Sequence, residues 1–402
     1  MGADDDLGAT VLGSTGPVLA ALVHQPAPQA LARHPALQTL IDQLATARAE
    51  RTPLSIRGGM TKAFYGEAAP EPALPALDVR PLSGISSYEP TELVVTVRAG
   101  TLLAELEAAL AERGQCLAFE PPRFGPNGTV GGMVAAGLAG PARAAAGAVR
   151  DHVLGATLLS GRGELMNFGG TVMKNVAGYD VSRLLAGSLG VLGVVCEVSL
   201  KVLPRPVASA TLRFEQDQPQ ALKNLNTWAG QPLPLHASAW WAGTLVLRLA
   251  GAHAAVDAAV AKFARLGGEV VAPALAETFW TGLRDQHDEF FDAAAQAVTG
   301  GATLWRISLP STAAPLALAG EQLIEWGGAQ RWLLSSASAA SVRDAASGAG
   351  GHATAFRSPP GVAVVGGVFA PLSAPLQRIH QALKDAFDPD RLLNPGRLYP
   401  GL

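Results

Sequence analysis

Charged residues are scarce in this chain, and the two signs nearly cancel. Of 402 residues only 16% are charged, with 30 Lys and Arg against 33 Asp and Glu, which gives a formal net charge of −3. A nucleic-acid partner would favour a basic stripe, so none is expected. Hydrophobic residues reach 49%, but Ala and Gly supply much of that share. No window offers the ~20 consecutive strongly apolar residues that a membrane span requires.

A secretory signal is also missing from the pattern. Asp4, Asp5 and Asp6 occupy positions where such a signal carries Lys or Arg, and no clean apolar segment follows them. We therefore expect a cytoplasmic protein without a membrane anchor of its own.

Cysteine is nearly absent. Cys116 and Cys196 lie far apart, each in apolar, strand-like sequence, and are interpreted as small buried hydrophobic residues. A disulfide is not expected in a reducing compartment, and two thiols are too few for an iron–sulfur cluster. The eight histidines show neither H-x-H nor H-E-x-x-H spacing, so no metal site is predicted.

Two common nucleotide motifs are missing: the Walker loop and the G-x-G-x-x-G fingerprint. The chain instead has three glycine-rich stretches. The first follows a short apolar run, and its free backbone N–H groups could cradle a pyrophosphate, with Thr61 adding a hydroxyl donor. The alternative is a strand-to-helix turn that binds nothing. The candidate residues are Arg57, Gly58, Gly59, Met60, Thr61 and Lys62.

The second stretch, residues 128–137, consists almost entirely of small residues. It could pack against a planar ligand, or merely allow a helix and a strand to pack closely. A rigid proline pair precedes it, and a charged segment that enters a strand follows it; that segment could equally be a solvated strand end. The candidates here are Pro121, Pro122, Gly128, Thr129, Gly131, Gly132, Asp151 and Val153.

The third stretch, residues 168–194, places Lys, Asn, Tyr and Asp between glycines. Its backbone could hydrogen-bond the polar edge of a flavin ring, and a cation there could stabilise reduced flavin. The candidates are Lys174, Gly178, Asp180 and Val194. Together, the three stretches predict a bound flavin.

Hydrophobic periodicity predicts a helix over residues 35–48 and strands over 53–57, 77–80, 93–97, 153–159, 194–203, 244–249 and 362–368. Thr101 is the predicted N-cap of a further helix, and residues 182–189 are predicted to form a short one. Pro204-Arg205-Pro206 is the best domain boundary. We predict a loose leader (1–34), a cofactor-binding domain (35–206), a cap domain (207–385) and a tail (386–402) that packs back on the first domain.

The ordered motifs resemble those of PCMH-type FAD proteins, the vanillyl-alcohol oxidase superfamily. Across residues 35–402 the chain is most similar to the E-subunit family of bacterial glycolate oxidases. The likeness is carried by R-G-G-x-T (57–61), P-x-G-T-V-G-G (126–132), V-R-D (149–151), K-N-V-A-G-Y-D (174–180), G-S-L-G-V-L-G (187–193) and F-D-P-x-x-x-x-N-P-G-R (387–397).

This resemblance implies an α+β fold, in which FAD lies between two α+β subdomains of a PCMH-type domain under a smaller α+β cap. It also implies a complex with a second FAD-binding subunit and an iron–sulfur subunit, peripheral at the inner membrane and touching it only through the complex. There glycolate is oxidised to glyoxylate, and electrons pass to a quinone-linked carrier.

Two departures from related families bear on chemistry. Relatives with covalent FAD place a histidine in the first loop, where this chain has Met60 and Thr61, so noncovalent FAD is expected. The paired-histidine metal motif of D-2-hydroxyacid dehydrogenases is absent, which favours activity within a complex over a free-standing dehydrogenase. A catalytically silent electron-relay or scaffold subunit is the other alternative.

Two residues are candidates for catalysis, and a third is predicted to bind the flavin. Arg284 could bind a substrate carboxylate in the cap, because a guanidinium matches a carboxylate bidentately; otherwise it pairs with Asp285 or Glu289 on a solvated helix. Lys174 is the second catalytic candidate. Asn394 is predicted to return to the flavin site within the tail.

Overall fold

Two antiparallel sheets organise the chain, a smaller one in the N-terminal half and a larger one in the C-terminal half. A computed structural model describes residues 28–68, 73–170 and 180–402. The mixture of separate helices and mainly antiparallel sheets is the predicted α+β class. Lys174 and Gly178 lie outside the described residues.

The N-terminal half contains a five-stranded sheet of strand order β3-β4-β8-β6-β7 and two smaller two-stranded sheets, β1-β2 and β5-β9. Buried apolar residues dominate its central strands, where side chains pack on both faces and exclude water. Its strands are β1 Ser55–Arg57, β2 Ala76–Asp78, β3 Ile85–Glu89, β4 Val94–Arg98, β5 Gln115–Cys116, β6 Val153–Leu159, β7 Leu165–Gly169, β8 Val194–Lys201 and β9 Leu203–Pro204.

Within the described residues, this half of the chain also contains seven helices. The predicted helix over 35–48 is confirmed as a 16-residue helix that begins at Pro35, where proline is well tolerated. The helices are α1 Gln29–Ala32, α2 Pro35–Glu50, α3 Leu103–Ala111, α4 Val130–Ala136, α5 Arg143–Ala146, α6 Val149–His152 and α7 Val181–Leu184. Leu31 of α1 is only 1% exposed, so the packed part of the chain begins before Pro35.

The C-terminal half is built on an eight-stranded antiparallel sheet of order β13-β10-β12-β11-β15-β16-β14-β17. Its strands are β10 Ala208–Glu215, β11 Leu235–Trp241, β12 Thr244–Gly251, β13 Glu269–Val271, β14 Thr303–Ser308, β15 Glu321–Glu325, β16 Gln330–Ser335 and β17 His352–Arg357. Its helices are α8 Gln218–Ala229, α9 His253–Arg265, α10 Pro273–Asp285, α11 Glu289–Thr299, α12 Ala339–Gly348 and α13 Ala374–Phe387.

Three local predictions are wrong. Residues 362–368 form a loop, not a strand, because Gly366 and Gly367 take positive φ angles of 77° and 85° that turn the chain. Thr101 does not cap α3; its hydroxyl donates to the Arg98 carbonyl, and Leu102 precedes the helix. The short helix predicted over 182–189 ends at Leu184.

The chain end folds back onto the N-terminal half. Phe387 and Leu393 are fully buried in its hydrophobic clusters. The fully buried Lys384 ammonium donates to the Asp388 carboxylate at 2.7 Å and to the Val191 and Leu393 carbonyls at 2.8 and 2.9 Å. Asp388 in turn accepts from the Leu393 backbone N–H. This buried network fixes the turn that precedes Asn394.

Candidate functional site

A cavity of about 1020 Å³ lies between the glycine loops of the N-terminal half and one end of the large sheet. Residues 55–68 and α4 form one wall, while α11 and residues 355–364 form the other. Ligand sites typically enclose ≈ 300–1,000 Å³, so this cavity has room for a dinucleotide-sized ligand.

The first two glycine loops contact each other through their backbones. A Cβ on Gly59 would lie 1.4 Å from the Asn127 carbonyl oxygen, and one on Gly58 would lie 2.5 Å from Thr129 Oγ1. No side chain fits either position. These glycines therefore let the two loops meet and close one end of the cavity.

The neighbouring glycines of α4 have different surroundings. A Cβ on Gly131 would lie 2.7 Å from the Ala99 Cβ, so this glycine packs the helix against the chain that follows β4. A Cβ on Gly132 would meet only Thr129 Oγ1, at 3.2 Å, although Gly132 lines the cavity. Gly132 is therefore the glycine whose missing side chain leaves room for a ligand.

Asn394 ties two cavity walls together. Its Oδ1 accepts from the Ile56 N–H at 2.7 Å, and its Nδ2 donates to the Leu189 carbonyl at 2.7 Å. Its φ of 43° lies in the left-handed region, which asparagine tolerates better than most residues. The tail thus reaches the cavity, and the Asn394 amide holds β1 beside the loop at Leu189.

Two cations lie in the first loop. Arg57 Nε is buried without a hydrogen-bond partner among the described residues. Burial lowers the pKa of Lys62 to about 8, against the opposing effects of Asp285 and Glu107. The Lys62 ammonium lies 5.4 Å from the centroid of Phe124. Both cations line the cavity and suit an anionic ligand.

Ten of the residues predicted to bind the cofactor line this one cavity. They are Arg57, Gly58, Gly59, Met60, Thr61, Lys62, Thr129, Gly131, Gly132 and Asn394.

Seven others lie outside its lining: Pro121, Pro122, Gly128, Asp151, Val153, Asp180 and Val194. Asp151 accepts from the Ala148 N–H at the start of α6, and Asp180 caps α7. Val153 and Val194 are fully buried in hydrophobic clusters. The structure therefore gives these four residues capping and core contacts.

Arg284 does not line this cavity. Its guanidinium pairs with the Asp285 carboxylate at 2.6 Å, and it borders a separate pocket of about 20 Å³ beside Glu325 and Arg306. The alternative weighed for this arginine, an ion pair with Asp285, is thus the observed arrangement, although the pair is largely buried and not solvated.

Sequence reasoning missed the second wall. Arg357, at the end of β17, and the following loop, residues 358–364, line the cavity, as does the aromatic ring of Phe64. No motif marks Arg357. The succession Ser358-Pro359-Pro360-Gly361 signals only a turn.

The chain is similar in sequence to known FAD-binding proteins. A family model described as "FAD binding domain" matches residues 28–169. The glycolate oxidase subunit GlcE of Escherichia coli (strain K12) is 48% identical over 365 residues, which covers 91% of this chain and 98% of that protein.

More distant matches cover shorter stretches. The glycolate oxidase subunit GlcD of Bacillus subtilis (strain 168) is 31% identical over 40% of this chain and 34% of its own length. A D-lactate dehydrogenase of Anaerostipes hadrus is 34% identical over 33% of this chain and 27% of its own. A solved alkyldihydroxyacetonephosphate synthase shares the fold, with a TM-score of 0.58 at 15% identity over 89% of this chain and 74% of that one.

These similarities define an FAD-dependent oxidoreductase. More particularly, this chain belongs to the family of the glycolate oxidase subunit GlcE. Its cofactor is FAD, and the observed residues fit it. The cavity is large enough, Gly132 leaves space beside α4, and the Arg57 Nε–H is buried without a partner in the described structure.

The described residues show neither a membrane-spanning helix nor a metal-binding group. No helix in the described ranges is both long and apolar enough to cross a membrane. Within the same ranges, no three His, Cys, Asp or Glu side chains come together as a metal-binding group. Cys116 and Cys196 are both free thiols, and Cys196 is buried.

Proposed function

We propose that this chain is the FAD-binding subunit of a glycolate oxidase complex that oxidises glycolate to glyoxylate. In this proposal electrons leave through FAD to an iron–sulfur subunit and a membrane carrier, and a second FAD-binding subunit completes the complex. The cavity between the glycine loops and the large sheet carries the proposal, together with the 98% coverage of the E. coli subunit. Membrane contact would occur only through the partners.

The first loop and α4 would hold the FAD. Arg57 supplies positive charge for the pyrophosphate, and the chain at Gly132 leaves space for the ligand. Asn394 keeps the walls on both sides at a fixed separation. Bound FAD would supply the two-electron acceptor that 2-hydroxy-acid oxidation needs. Lys174 and Gly178 stay predicted contacts.

FAD should be bound without a covalent link, because Met60 and Thr61 occupy the loop position where covalent relatives carry histidine. Acid precipitation of the purified protein should release about one flavin per chain into a yellow supernatant. Flavin that stays in the washed pellet would refute this assignment.

An electron-relay role without substrate chemistry is the second candidate function. Within the described ranges the cavity lining contains no histidine, and its acidic residue Glu67 accepts from the Val368 N–H at 2.5 Å. The described lining therefore contains no imidazole base, and its one carboxylate already accepts a backbone hydrogen bond.

Anaerobic reduction by glycolate separates the two functions. The FAD-loaded chain alone, and the same chain in its complex, are mixed with glycolate while flavin bleaching is followed near 450 nm. Bleaching of the isolated chain would establish substrate oxidation by this subunit. Flavin that is reduced only after the partner's flavin would support the relay.

A further inference from the structure

The wall contributed by the C-terminal half is almost free of charge. Its lining residues in the described structure are Ala295, Val298, Thr299 and residues 355–364 with Val368. Among these, Arg357 is the one ionisable side chain. A single cation on an otherwise apolar wall is the usual design of a site that orients a small anion.

The Arg357 guanidinium is held in place by rings and has no anionic partner. It lies 3.7 Å from the centroid of Phe64 and 5.6 Å from that of Phe124. Its Nη2 donates to Gln286 Oε1 at 3.0 Å, and no carboxylate of the described residues lies within ion-pair distance of it. Arginine carries five N–H donors, so most of them remain for a ligand.

Removing a cation from water without a counter-charge disfavours its charged form, and the pKa of Arg357 shows this effect. Desolvation lowers the pKa of Arg357 to about 10, which still leaves it charged at neutral pH. A half-buried cation without a counter-charge gains most when an anion arrives, because charge-assisted bidentate hydrogen bonds are strong away from water.

Two further groups face the same space. The Ser358 hydroxyl is buried and has no hydrogen-bond partner among the described residues. Lys62 approaches the Phe124 ring, at 5.4 Å from its centroid, as Arg357 does at 5.6 Å. Hydroxyl and ammonium donors therefore supplement the guanidinium around one aromatic patch.

We infer that Arg357 is the carboxylate-binding residue of this cavity, and that with Ser358 and Lys62 it selects a small 2-hydroxy acid on the side of the flavin that faces the large sheet. This inference rests on the proposed function, since it assumes FAD on the opposite wall. It replaces Arg284, whose guanidinium is paired with Asp285. The stacked Phe64 ring fixes the plane of the Arg357 guanidinium.

Oxalate is a suitable probe, because it carries the carboxylate but cannot be oxidised as a 2-hydroxy acid. FAD-loaded protein is titrated with oxalate, and the shift in the visible flavin spectrum gives a Kd without turnover. Arg357→Met should weaken oxalate at least about tenfold, as expected for loss of hydrogen bonds to a charged group. Arg357→Lys should recover part of the affinity.

Arg213→Met is the matched control. Arg213 lies on β10 in an exposed pair with Glu269, so its loss should leave the oxalate Kd unchanged. In the assembled complex, Arg357→Met should raise KM for glycolate with FAD content intact.

Three outcomes would overturn the inference: a wild-type spectrum that oxalate does not shift, an unchanged Kd in Arg357→Met, or loss of FAD itself from Arg357→Met and Arg357→Lys. The last would make Arg357 a ligand of the FAD phosphates. Failure of the proposed function is separate, because it would appear as wild-type protein that neither holds FAD nor transfers electrons.

Discussion

At the scale of single residues, the two adjacent glycines of α4 have different roles. One lets the helix pack closely, and the other leaves space for a ligand. The predicted close approach of both Gly131 and Gly132 to the cofactor has a different basis at each position. Gly131 is excluded from carrying a side chain by Ala99, whereas Gly132 has space that opens into the cavity. One substitution at each position can therefore distinguish stability from FAD affinity.

We expect Gly132→Val to lower FAD affinity roughly tenfold or more, while the apoprotein keeps its fold. The added side chain enters the cavity and not the protein core. Flavin fluorescence titration gives the affinity, and circular dichroism reports the fold. Gly131→Ala is the contrasting variant: its Cβ would overlap Ala99, so unfolding stability should fall by about 1–3 kcal/mol. Equal FAD affinity in wild type and Gly132→Val would show that Gly132 serves packing alone.

Glu325 provides a pH-dependent prediction. The side chain is 4% exposed, and burial raises its pKa from 4.5 to about 7, although Trp332 and Gln330 donate hydrogen bonds to it. Between these pH values the folded protein binds more protons than the unfolded chain, so Glu325 makes stability fall as pH rises from about 4.5 to 7.

Glu325→Gln should remove that dependence. Relative to wild type, the variant should gain up to roughly 3 kcal/mol between pH 4.5 and 7, since each pKa unit is worth about 1.4 kcal/mol. Urea unfolding at several pH values measures the difference. Parallel curves for the two proteins across this window would contradict a raised pKa at Glu325.

At the scale of elements, secondary structure can be predicted from the sequence where neighbouring residues determine the backbone conformation. The run Val94-Val95-Thr96-Val97 reads as a strand, and β4 is one. The first glycine loop follows a predicted strand, and it indicated a ligand site only in combination with the two later glycine-rich stretches. The predicted strand over 362–368 is wrong because Gly361, Gly366 and Gly367 all take positive φ, which outweighs the strand preference of the valines between them.

Contacts distant in sequence could not be predicted in this way. Arg357 enters the cavity only because β17 is the edge strand of the large sheet, and that order depends on long-range pairing with β14. For Arg284 the sequence allowed either a substrate carboxylate or the Asp285 carboxylate as partner, and the folded structure shows the pair with Asp285. Asn394 was identified as a cavity residue, whereas its two backbone partners, Ile56 and Leu189, were not.

A single substitution at Asn394 tests the role of the tail in FAD binding more sharply than truncation does. Deleting residues 386–402 would remove the fully buried Phe387 and Leu393 and destabilise the whole half. Asn394→Gly keeps the positive φ and removes only the side-chain bonds to Ile56 and Leu189, so FAD should dissociate about tenfold faster. The rise in flavin fluorescence after rapid dilution of the FAD-loaded protein measures this rate.

Asn226→Ala controls for the loss of an amide elsewhere. The Asn226 Nδ2 donates to the Leu222 and Ser311 carbonyls in the C-terminal half, away from the cavity lining, so FAD release should keep the wild-type rate. If Asn394→Gly also releases FAD at the wild-type rate, the tail packs on the surface of the domain but does not help to retain FAD.

At the scale of the whole molecule, a few polar contacts join the two halves. Arg248 of β12 donates to both oxygens of Glu120 at 2.7 Å, and the Arg123 N–H donates to Asp285 at 2.8 Å. Trp326 donates to the Gly140 carbonyl at 3.0 Å. Thus Glu120, which precedes the predicted proline pair, joins the halves. The exact domain limits, including the boundary at residues 204–206, remain predictions.

Breaking the Arg248–Glu120 pair should uncouple the halves. The Arg248 and Glu120 side chains are only 13% and 25% exposed, so Arg248→Met leaves a poorly solvated carboxylate and should cost about 1.5–3 kcal/mol. Calorimetry should show a lower first transition and two resolved peaks where wild type shows one. Arg213→Met, which breaks an exposed pair, should change stability by less than about 1 kcal/mol. A single peak at the wild-type temperature in Arg248→Met would mean that apolar packing alone couples the halves, through the cluster that joins Tyr65 and Leu138 to Trp280 and Phe356.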